Sequence, residues 1–212
     1  MLLGFCVSST LLSRVGRARK RALGGDIGKT GPRDAWQVLA NGGVATVAIV
    51  AGGPLGVAAF AGAYAAANAD TWGTEIGMLA RQQPYSILNG KPLTTGLSGG
   101  ITLIGSLAEL AGALLVALLA AAAWPGTRMF AAVAVAGALG AIVDSYLGAT
   151  LQERRWCPAC ERECENDPHS CGTITVYHRG APWMTNDAVN TAATAAGALF
   201  AAALFAVLRP EV

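Results

Sequence analysis

The chain has 212 residues, of which 53% are hydrophobic and only 13% are charged. Soluble domains usually carry about 25% charged residues, so the composition argues against an ordinary soluble protein and favours an integral membrane protein. The formal net charge is +2, and we expect no nucleic-acid partner.

Apolar runs predict an all-α, polytopic membrane protein with about six membrane segments, forming a single domain over residues 1–212. Such a segment needs about 20 residues, or fewer where it is short or broken. The runs are Leu2 to Leu12, Val38 to Ala51, Pro54 to Ala67, Gly99 to Trp124, Met129 to Val143 and Ala188 to Leu208.

The first run is followed by basic residues instead of being preceded by them, and it shows no small-residue cleavage site. We therefore predict a membrane segment there and not a signal peptide. At about 1.5 Å per residue the run is too short to cross about 30 Å of hydrocarbon. We expect further apolar sequence upstream.

Lys and Arg residues, apart from Arg128 and Arg209, all fall in alternate loops. Because cytoplasmic loops are rich in these residues, we expect these loops to face the cytoplasm, with both termini outside. Gly52-Gly53-Pro54 predicts a break between the second and third runs. One long helix from Val38 to Ala67 is the alternative, but it would place the later Arg-rich loop outside. We predict a prokaryotic plasma-membrane protein.

Polar clusters fall at the cytoplasmic ends of the predicted segments. Ionisable residues in or beside membrane spans usually face a bundle interior or a water-filled cavity, so these clusters predict one cytoplasmic-facing site. The clusters are RDAWQVLANGG at 33–43, NADTWGTEIG at 68–77, TTGLSGG at 94–100, DSYLGATLQ at 144–152 and TNDAVN at 185–190.

Asp70 and Glu75 are five residues apart, or about 140° around a regular helix. One helix would not aim both carboxylates at one point, so we predict a break at Gly73 that lets them converge. The alternative is a helix cap, with Asp70 as the N-cap and Glu75 in the first turn.

Asp144 follows an unbroken apolar run, with Gly148 and Gln152 on the same predicted helix face. We predict a site carboxylate with exposed backbone beside it. The alternative is an aspartate at the membrane interface, paired to Arg154 or Arg155.

Two further clusters precede predicted helices. In TNDAVN, an N-cap explains one of Asn186, Asp187 and Asn190 but leaves Asn190 unexplained inside a span. In TTGLSGG, we expect free N–H groups at a helix N-terminus, which bind phosphate.

Converging carboxylates without buried cations repel one another, and carboxylates together with substrate phosphates are the usual ligands of Mg²⁺. We predict Mg²⁺ at Asp70, Glu75 and Asp144, the proposed catalytic residues. Arg33 is the expected phosphate ligand, whereas RARKR at 17–21 is favoured as a topology anchor. Glu109 is expected to be structural and outside the site. The predicted nucleotide- and phosphate-binding residues are Arg33, Gln37, Asn41, Asn68, Thr71, Ser98, Gly99, Gly100, Ser145, Gly148, Gln152, Asn186, Asp187 and Asn190.

The loop at residues 150–187 contains five candidate metal ligands. A reducing cytoplasm disfavours disulfides, so the Cys-Pro-Ala-Cys spacing predicts structural zinc. Free thiols and a redox pair are the alternatives. Spacing favours Cys157, Cys160 and Cys171, and leaves the fourth ligand open between Cys164 and His169.

The clusters at 33–43, 68–77, 96–100, 144–152 and 185–190, with the CPAC to HSCG loop, resemble in their order the transmembrane protein nineteen family, whose plant member is phytyl-phosphate kinase. The resemblance implies CTP-dependent phosphoryl transfer to an isoprenoid monophosphate at the membrane. It also implies zinc on Cys157, Cys160, His169 and Cys171, with Cys164 as an addition in this chain.

The expected function is therefore a CTP-dependent isoprenyl-phosphate kinase that needs Mg²⁺ and no general base. A cytidylyltransferase that makes a CDP-lipid is one alternative, and a transport or structural membrane protein is another. The expected partners are the bilayer, a nucleotide and a prenyl phosphate. Small residues suit helix packing within one chain or between chains, so a homo-oligomer stays open.

Overall fold

A computed structural model describes residues 1–24 and 35–208, and for residues 21–24 it describes the backbone alone. The chain is mostly helical. The helices of the described residues are α1 Leu2–Arg14, α2 Arg17–Gly24, α3 Ala35–Ala51, α4 Gly53–Gly77, α5 Leu103–Ala123, α6 Thr127–Thr150 and α7 Asn186–Val207.

Short strands form two antiparallel sheets. In the first, β1 (Tyr85–Ser86) pairs with β2 (Gly100–Ile101) ahead of α5. In the second, β3 (Arg154–Cys157) lies between β4 (Arg162–Cys164) and β5 (Val176–Arg179). The second sheet belongs to the segment between α6 and α7, residues 151–185, which we call the Cys/His lobe.

Helices α5, α6 and α7 are long and apolar enough to cross a membrane. The first and second apolar runs form the shorter apolar helices α1 and α3. The expectation of about six membrane segments is thus matched, by length and composition, for three helices of the described chain.

Helix α4 is the centre of the bundle, since it packs against α1, α3, α5, α6 and α7. Its buried face consists largely of Ala and Gly, which let helix backbones approach closely. A Cβ atom on Gly62 would collide with the carbonyl oxygen of Gly197 in α7. Because α4 is surrounded by protein along this face, it needs less apolar bulk than a lipid-facing helix.

The predicted break at Gly52-Gly53-Pro54 is present. Gly52 and Gly53 have φ values of 74° and 68°, in the left-handed region that glycine enters without a Cβ penalty. Pro54 lies in the first turn of α4, where its missing N–H has no helical partner to lose. The alternative of one long helix from Val38 to Ala67 is therefore wrong.

Candidate functional site

A cavity of about 660 Å³ lies between the helices and the loop that precedes α5. Most of the residues predicted from separate sequence clusters meet there. The predicted residues that line it are Gln37, Asn41, Asp70, Thr71, Glu75, Ser98, Gly99, Gly100, Asp144, Ser145, Asn186 and Asn190.

Other predicted site residues lie outside the cavity lining, and Arg33 lies outside the described residues. Asn68 is fully buried; its amide donates to the carbonyl oxygen of Gly112 at 2.8 Å and its Oδ1 accepts from Ser8 at 2.9 Å. It joins α4 to α5 and α1 and is a packing residue. Asp187 lies in the first turn of α7.

Gly148 and Gln152 support the cavity wall from behind. Gly148 packs against Ser98 and Gly99, because a Cβ atom there would lie 2.9 Å from the Cβ of Ser98. Gln152 is buried and donates a hydrogen bond to Glu165 at 3.0 Å. The positions of Gly148 and Gln152 therefore indicate support of the cavity wall and not direct ligand binding.

The break predicted at Gly73 is wrong, because α4 continues without interruption to Gly77. The helix-cap alternative is wrong as well, since Asp70 lies inside α4 and not at its start. Both carboxylates still reach the cavity from the one helix. Glu75 forms an ion pair with Lys20 at 2.6 Å, whereas Asp70 lies near Asp144.

Glu109 of α5 lines the cavity, so the expectation that it lies outside the site is wrong. Gly73 makes room for it, since a Cβ atom on Gly73 would lie 2.5 Å from Cγ of Glu109. The signal for Glu109 was its place inside an apolar helix, where an ionisable residue is a functional candidate by default.

Three carboxylates from three helices thus meet at the cavity: Asp70 of α4, Glu109 of α5 and Asp144 of α6. Asp144 lies within hydrogen-bonding reach of Asp70 and close to Glu109. Among the described residues, its buried Oδ2 has no hydrogen-bond partner. Such a group of carboxylates fits a divalent cation that prefers oxygen ligands.

The alternative in which Asp144 pairs with a nearby arginine is wrong. Arg154 pairs with Glu165 at 2.9 Å, and Arg155 pairs with Glu153 and Asp167. The ion-pair partners of both arginines lie inside the Cys/His lobe, and Asp144 lines the cavity.

Basic residues from the N-terminal helices complete the cavity wall. Arg14, Arg17 and Lys20 all line it, and Arg17 and Lys20 belong to the RARKR run that was favoured as a topology anchor. Lys20 is buried and donates to the carbonyl oxygen of Leu12 at 2.6 Å. The cavity is therefore acidic where the helices converge and basic where α1 and α2 border it.

The helix start expected at Ser98 to Gly100 is wrong, whereas phosphate binding by these residues stays a prediction. Helix α5 begins later, at Leu103, and is capped by the Thr102 hydroxyl, which accepts from the Gly105 amide at 2.9 Å. Residues 96–100, which we call the cavity turn, instead lead into β2 and form part of the wall.

The start of α7 differs from the expectation in a similar way. Thr185 is the N-cap, and its hydroxyl accepts from the amide of Ala188. Capping therefore explains none of Asn186, Asp187 and Asn190. Asn186 and Asn190 lie one helical turn apart and line the cavity.

The Cys/His lobe brings together Cys157, Cys160, His169 and Cys171, whose ligand atoms all lie within 4.8 Å of one another. The Sγ atoms of Cys157 and Cys171 are 3.6 Å apart, and Nδ1 of His169 is 3.6 Å from the Sγ of Cys160. Tetrahedral zinc with Zn–S bonds of about 2.3 Å has ligand atoms about 3.8 Å apart. The donor set and its spacing fit zinc.

Cys164 is not part of this cluster, so its prediction as an alternative ligand is wrong. It is buried, and its thiol lies within hydrogen-bonding distance of the carbonyl oxygens of Arg155 and Asn166. His169 completes the set, a choice that sequence spacing had left open.

The cluster is also electrostatically suited to a cation. Hydrogen bonds with Thr173 and His169 lower the pKa of Cys171 to about 5, whereas a hydrogen bond with Cys171 raises the pKa of Cys160 to about 11. Thiolates are the form of cysteine that binds metal, so one ligand is ready at neutral pH and a bound cation would favour the others.

A mostly helical chain with apolar helices of membrane-spanning length around a polar cavity defines an integral membrane protein. The chain matches the family described as "Integral membrane protein DUF92" over residues 1–198 and belongs to that family.

Two curated relatives are similar to this chain over about three quarters of its length. Protein PGR of Arabidopsis thaliana is 32% identical over 187 residues, covering 74% of this chain and 65% of the relative. The uncharacterized membrane protein MJ0933 of Methanocaldococcus jannaschii is 31% identical over 157 residues, covering 73% and 65% respectively. The chain therefore spans just under two thirds of the length of each. No solved structure matches it.

Proposed function

We propose that the protein is a CTP-dependent kinase that converts an isoprenoid monophosphate to its diphosphate, and that the cavity is the site of transfer. The observation that carries this proposal is the meeting of Asp70, Glu109 and Asp144 with Arg14 and Arg17 in one cavity among apolar helices. The resemblance to the transmembrane protein nineteen family supplies the nucleotide and the class of lipid.

Asp70, Glu109 and Asp144 would hold Mg²⁺, replacing the predicted set that contained Glu75. Glu75 is the weaker candidate because its carboxylate already pairs with Lys20. When bound, Mg²⁺ supplies charge neutralisation to the phosphates of the nucleotide. The carboxylates come from helices packed closely together, so their positions are set before any ligand binds.

The basic wall would bind phosphates that Mg²⁺ does not reach. Arg14 and Arg17 present guanidinium groups, which form paired hydrogen bonds with phosphate oxygens. Arg33 remains proposed for the same role. Gln37, Asn41, Asn186 and Asn190 would bind the ribose and base through their amides.

Phosphoryl transfer depends mainly on positioning and charge stabilisation. In the proposed reaction an oxygen of the lipid phosphate attacks the γ-phosphorus of CTP, the bond to the β-phosphate oxygen breaks, and CDP leaves. The attacking oxygen is already anionic, so the residues of the cavity need not remove a proton.

The apolar surface around the cavity fits a lipid acceptor. Thr10 and Ser13 of α1 line the cavity, while Leu3, Val7 and Leu11 on the same helix are exposed. The proposed orientation places the cavity at the cytoplasmic face, on the strength of the distribution of Lys and Arg among the loops.

For the Cys/His lobe we propose a structural Zn²⁺ held by Cys157, Cys160, His169 and Cys171. A four-ligand set leaves no open position for a substrate. The metal would stabilise the lobe and take no part in phosphoryl transfer.

The test is turnover of radiolabelled CTP by purified protein in detergent, with Mg²⁺ and a panel of isoprenyl monophosphates. We expect CDP and an isoprenyl diphosphate, with turnover abolished in Asp144→Asn. Glu161→Gln is the matched control, because Glu161 is exposed and lies outside the cavity. Pyrophosphate together with a CDP-lipid would replace the kinase by a cytidylyltransferase. Unchanged turnover in Asp144→Asn would contradict the site.

A further inference from the structure

One side chain of the Cys/His lobe reaches the cavity in the bundle. Glu165 lies between Cys164 and the metal ligand His169 in sequence, and it lines the cavity. Its Oε1 accepts a hydrogen bond from the backbone N–H of Ser98 at 3.0 Å. The lobe and the cavity turn at residues 96–100 are therefore joined directly, although 67 residues separate Ser98 and Glu165.

The same carboxylate is held by two further groups. Arg154 pairs with it at 2.9 Å and Gln152 donates to its Oε2 at 3.0 Å. Arg154 also donates to the carbonyl oxygens of Ser98 and Gly148. We call Ser98, Gln152, Arg154 and Glu165 the Glu165 clamp; it ties together the cavity turn, the end of α6 and the lobe.

The ion pair at the centre of the clamp is almost wholly removed from solvent, with side-chain exposures of 1% for Arg154 and 5% for Glu165. A buried ion pair has little freedom to exchange partners, because removing one partner leaves an uncompensated charge. This burial favours a fixed role in setting geometry over reversible release. The Glu165 carboxylate also accepts from the Ser98 backbone N–H, a group that the sequence analysis expected to bind phosphate.

We propose that Glu165 is a positioning residue that fixes the cavity turn, so that the fold of the Cys/His lobe determines the shape of this wall of the cavity. Gly99 packs tightly against α6, since a Cβ atom there would collide with Ala149. A displacement of the cavity turn would therefore disturb this contact. This role of Glu165 in fixing residues 96–100 does not depend on whether the cavity transfers a phosphoryl group.

Amide hydrogen exchange of the purified protein in detergent measures this role directly. The Ser98 N–H donates to a carboxylate, and loss of such a bond should speed its exchange by about 10-fold to 100-fold. We expect that increase at residues 96–100 in Glu165→Gln. Glu165→Asp keeps the negative charge that pairs with Arg154. We therefore expect exchange at residues 96–100 to be slower in Glu165→Asp than in Glu165→Gln.

The matched control is Glu163→Gln. Glu163 lies two residues away on β4 and pairs with His178 and Arg179, and it does not line the cavity. This variant should leave exchange at residues 96–100 unchanged. If Glu165→Gln does not elute as folded protein, the comparison of Glu165→Asp with Glu163→Gln carries the test, with an expected increase only in the former.

Removal of the metal from the unaltered chain gives a second readout, which rests on the proposed zinc site. A zinc-selective chelator should speed exchange at residues 96–100 in the unaltered protein and in Glu163→Gln, but should add little in Glu165→Gln, because the link is already broken. Wild-type exchange at Ser98 in both Glu165 variants would overturn the proposal. Equal increments on chelation in all three proteins would overturn the coupling to the lobe.

Discussion

The helical bundle and the Cys/His lobe are stabilised by different interactions. Around α4 the contacts are close approaches between small residues, such as Gly62 against Gly197. In the lobe they are ion pairs and a cysteine–histidine cluster, as in the pairing of Arg155 with Asp167. The bundle therefore depends on close packing between small residues, whereas the lobe depends on ion pairs and on the metal that we propose for it.

The sharpest way to separate the two regions is to remove the proposed metal. In His169→Ala we expect zinc content to fall from about one per chain to near zero, because a structural zinc site needs all four of its ligands. Ser170→Ala, at an exposed neighbouring position, is the control. Metal analysis and circular dichroism are the measurements. Retained zinc, or loss of helicity in the bundle, would contradict the comparison.

Within the bundle, the contact between Gly73 and Glu109 tests whether close helix packing positions the carboxylates of the cavity. Gly73→Ala places a methyl group against Glu109, and we expect it to reduce CTP turnover about 10-fold or more by displacing a proposed Mg²⁺ ligand by less than 1 Å. Glu109→Gln should lose at least as much. Gly43→Ala is the control, since nothing lies within 4 Å of a Cβ atom there. A fully active Gly73→Ala would separate Glu109 from the site.

Packing alone is tested at Gly62. In Gly62→Ala the new methyl group meets the backbone of α7, and we expect overpacking to cost about 1–3 kcal/mol of unfolding free energy. Thermal unfolding in detergent should show a lower midpoint for Gly62→Ala than for Gly43→Ala, with zinc content unchanged. A midpoint equal to that of the unaltered protein would mean that α4 and α7 can separate without loss.

The smallest expected effect concerns the ion pair between Lys20 and Glu75, which joins α2 to α4. Because both side chains are mostly shielded from solvent, the coupling should exceed the 0.2–1 kcal/mol typical of exposed pairs only slightly. A double-mutant cycle of Lys20→Met and Glu75→Gln measures it through thermal unfolding. Zero coupling at low salt would leave the basic wall without this anchor to the bundle.

Sequence reasoning located the cavity better than it located the roles within it. The clusters at Asp70, Asp144 and Asn190 were found because polar residues are costly inside apolar runs. The break at Gly73 was not correct, because a glycine inside a helix serves close packing as readily as bending. Its partner, Glu109, lies on the next helix of the bundle, and no local pattern links the two.

Caps and ligands show the same limit. Thr102 and Thr185 are the N-caps of α5 and α7. Ser98 therefore does not lie at a helix start, and Asn186 is not a cap. The choice of His169 over Cys164 depended on how β4 turns its side chains, which spacing does not reveal. Residues that act through contacts distant in sequence, Glu165 above all, gave no signal in the chain.

The position of the Cys/His lobe between α6 and α7 has a consequence for biosynthesis. Domains and their parts form as the chain emerges from the ribosome, in N-terminal to C-terminal order. Asn186 and Asn190 lie on α7, which is synthesised only after every cysteine and histidine of the cluster. A newly made chain could therefore bind the proposed metal before α7, which lines the cavity, is in place.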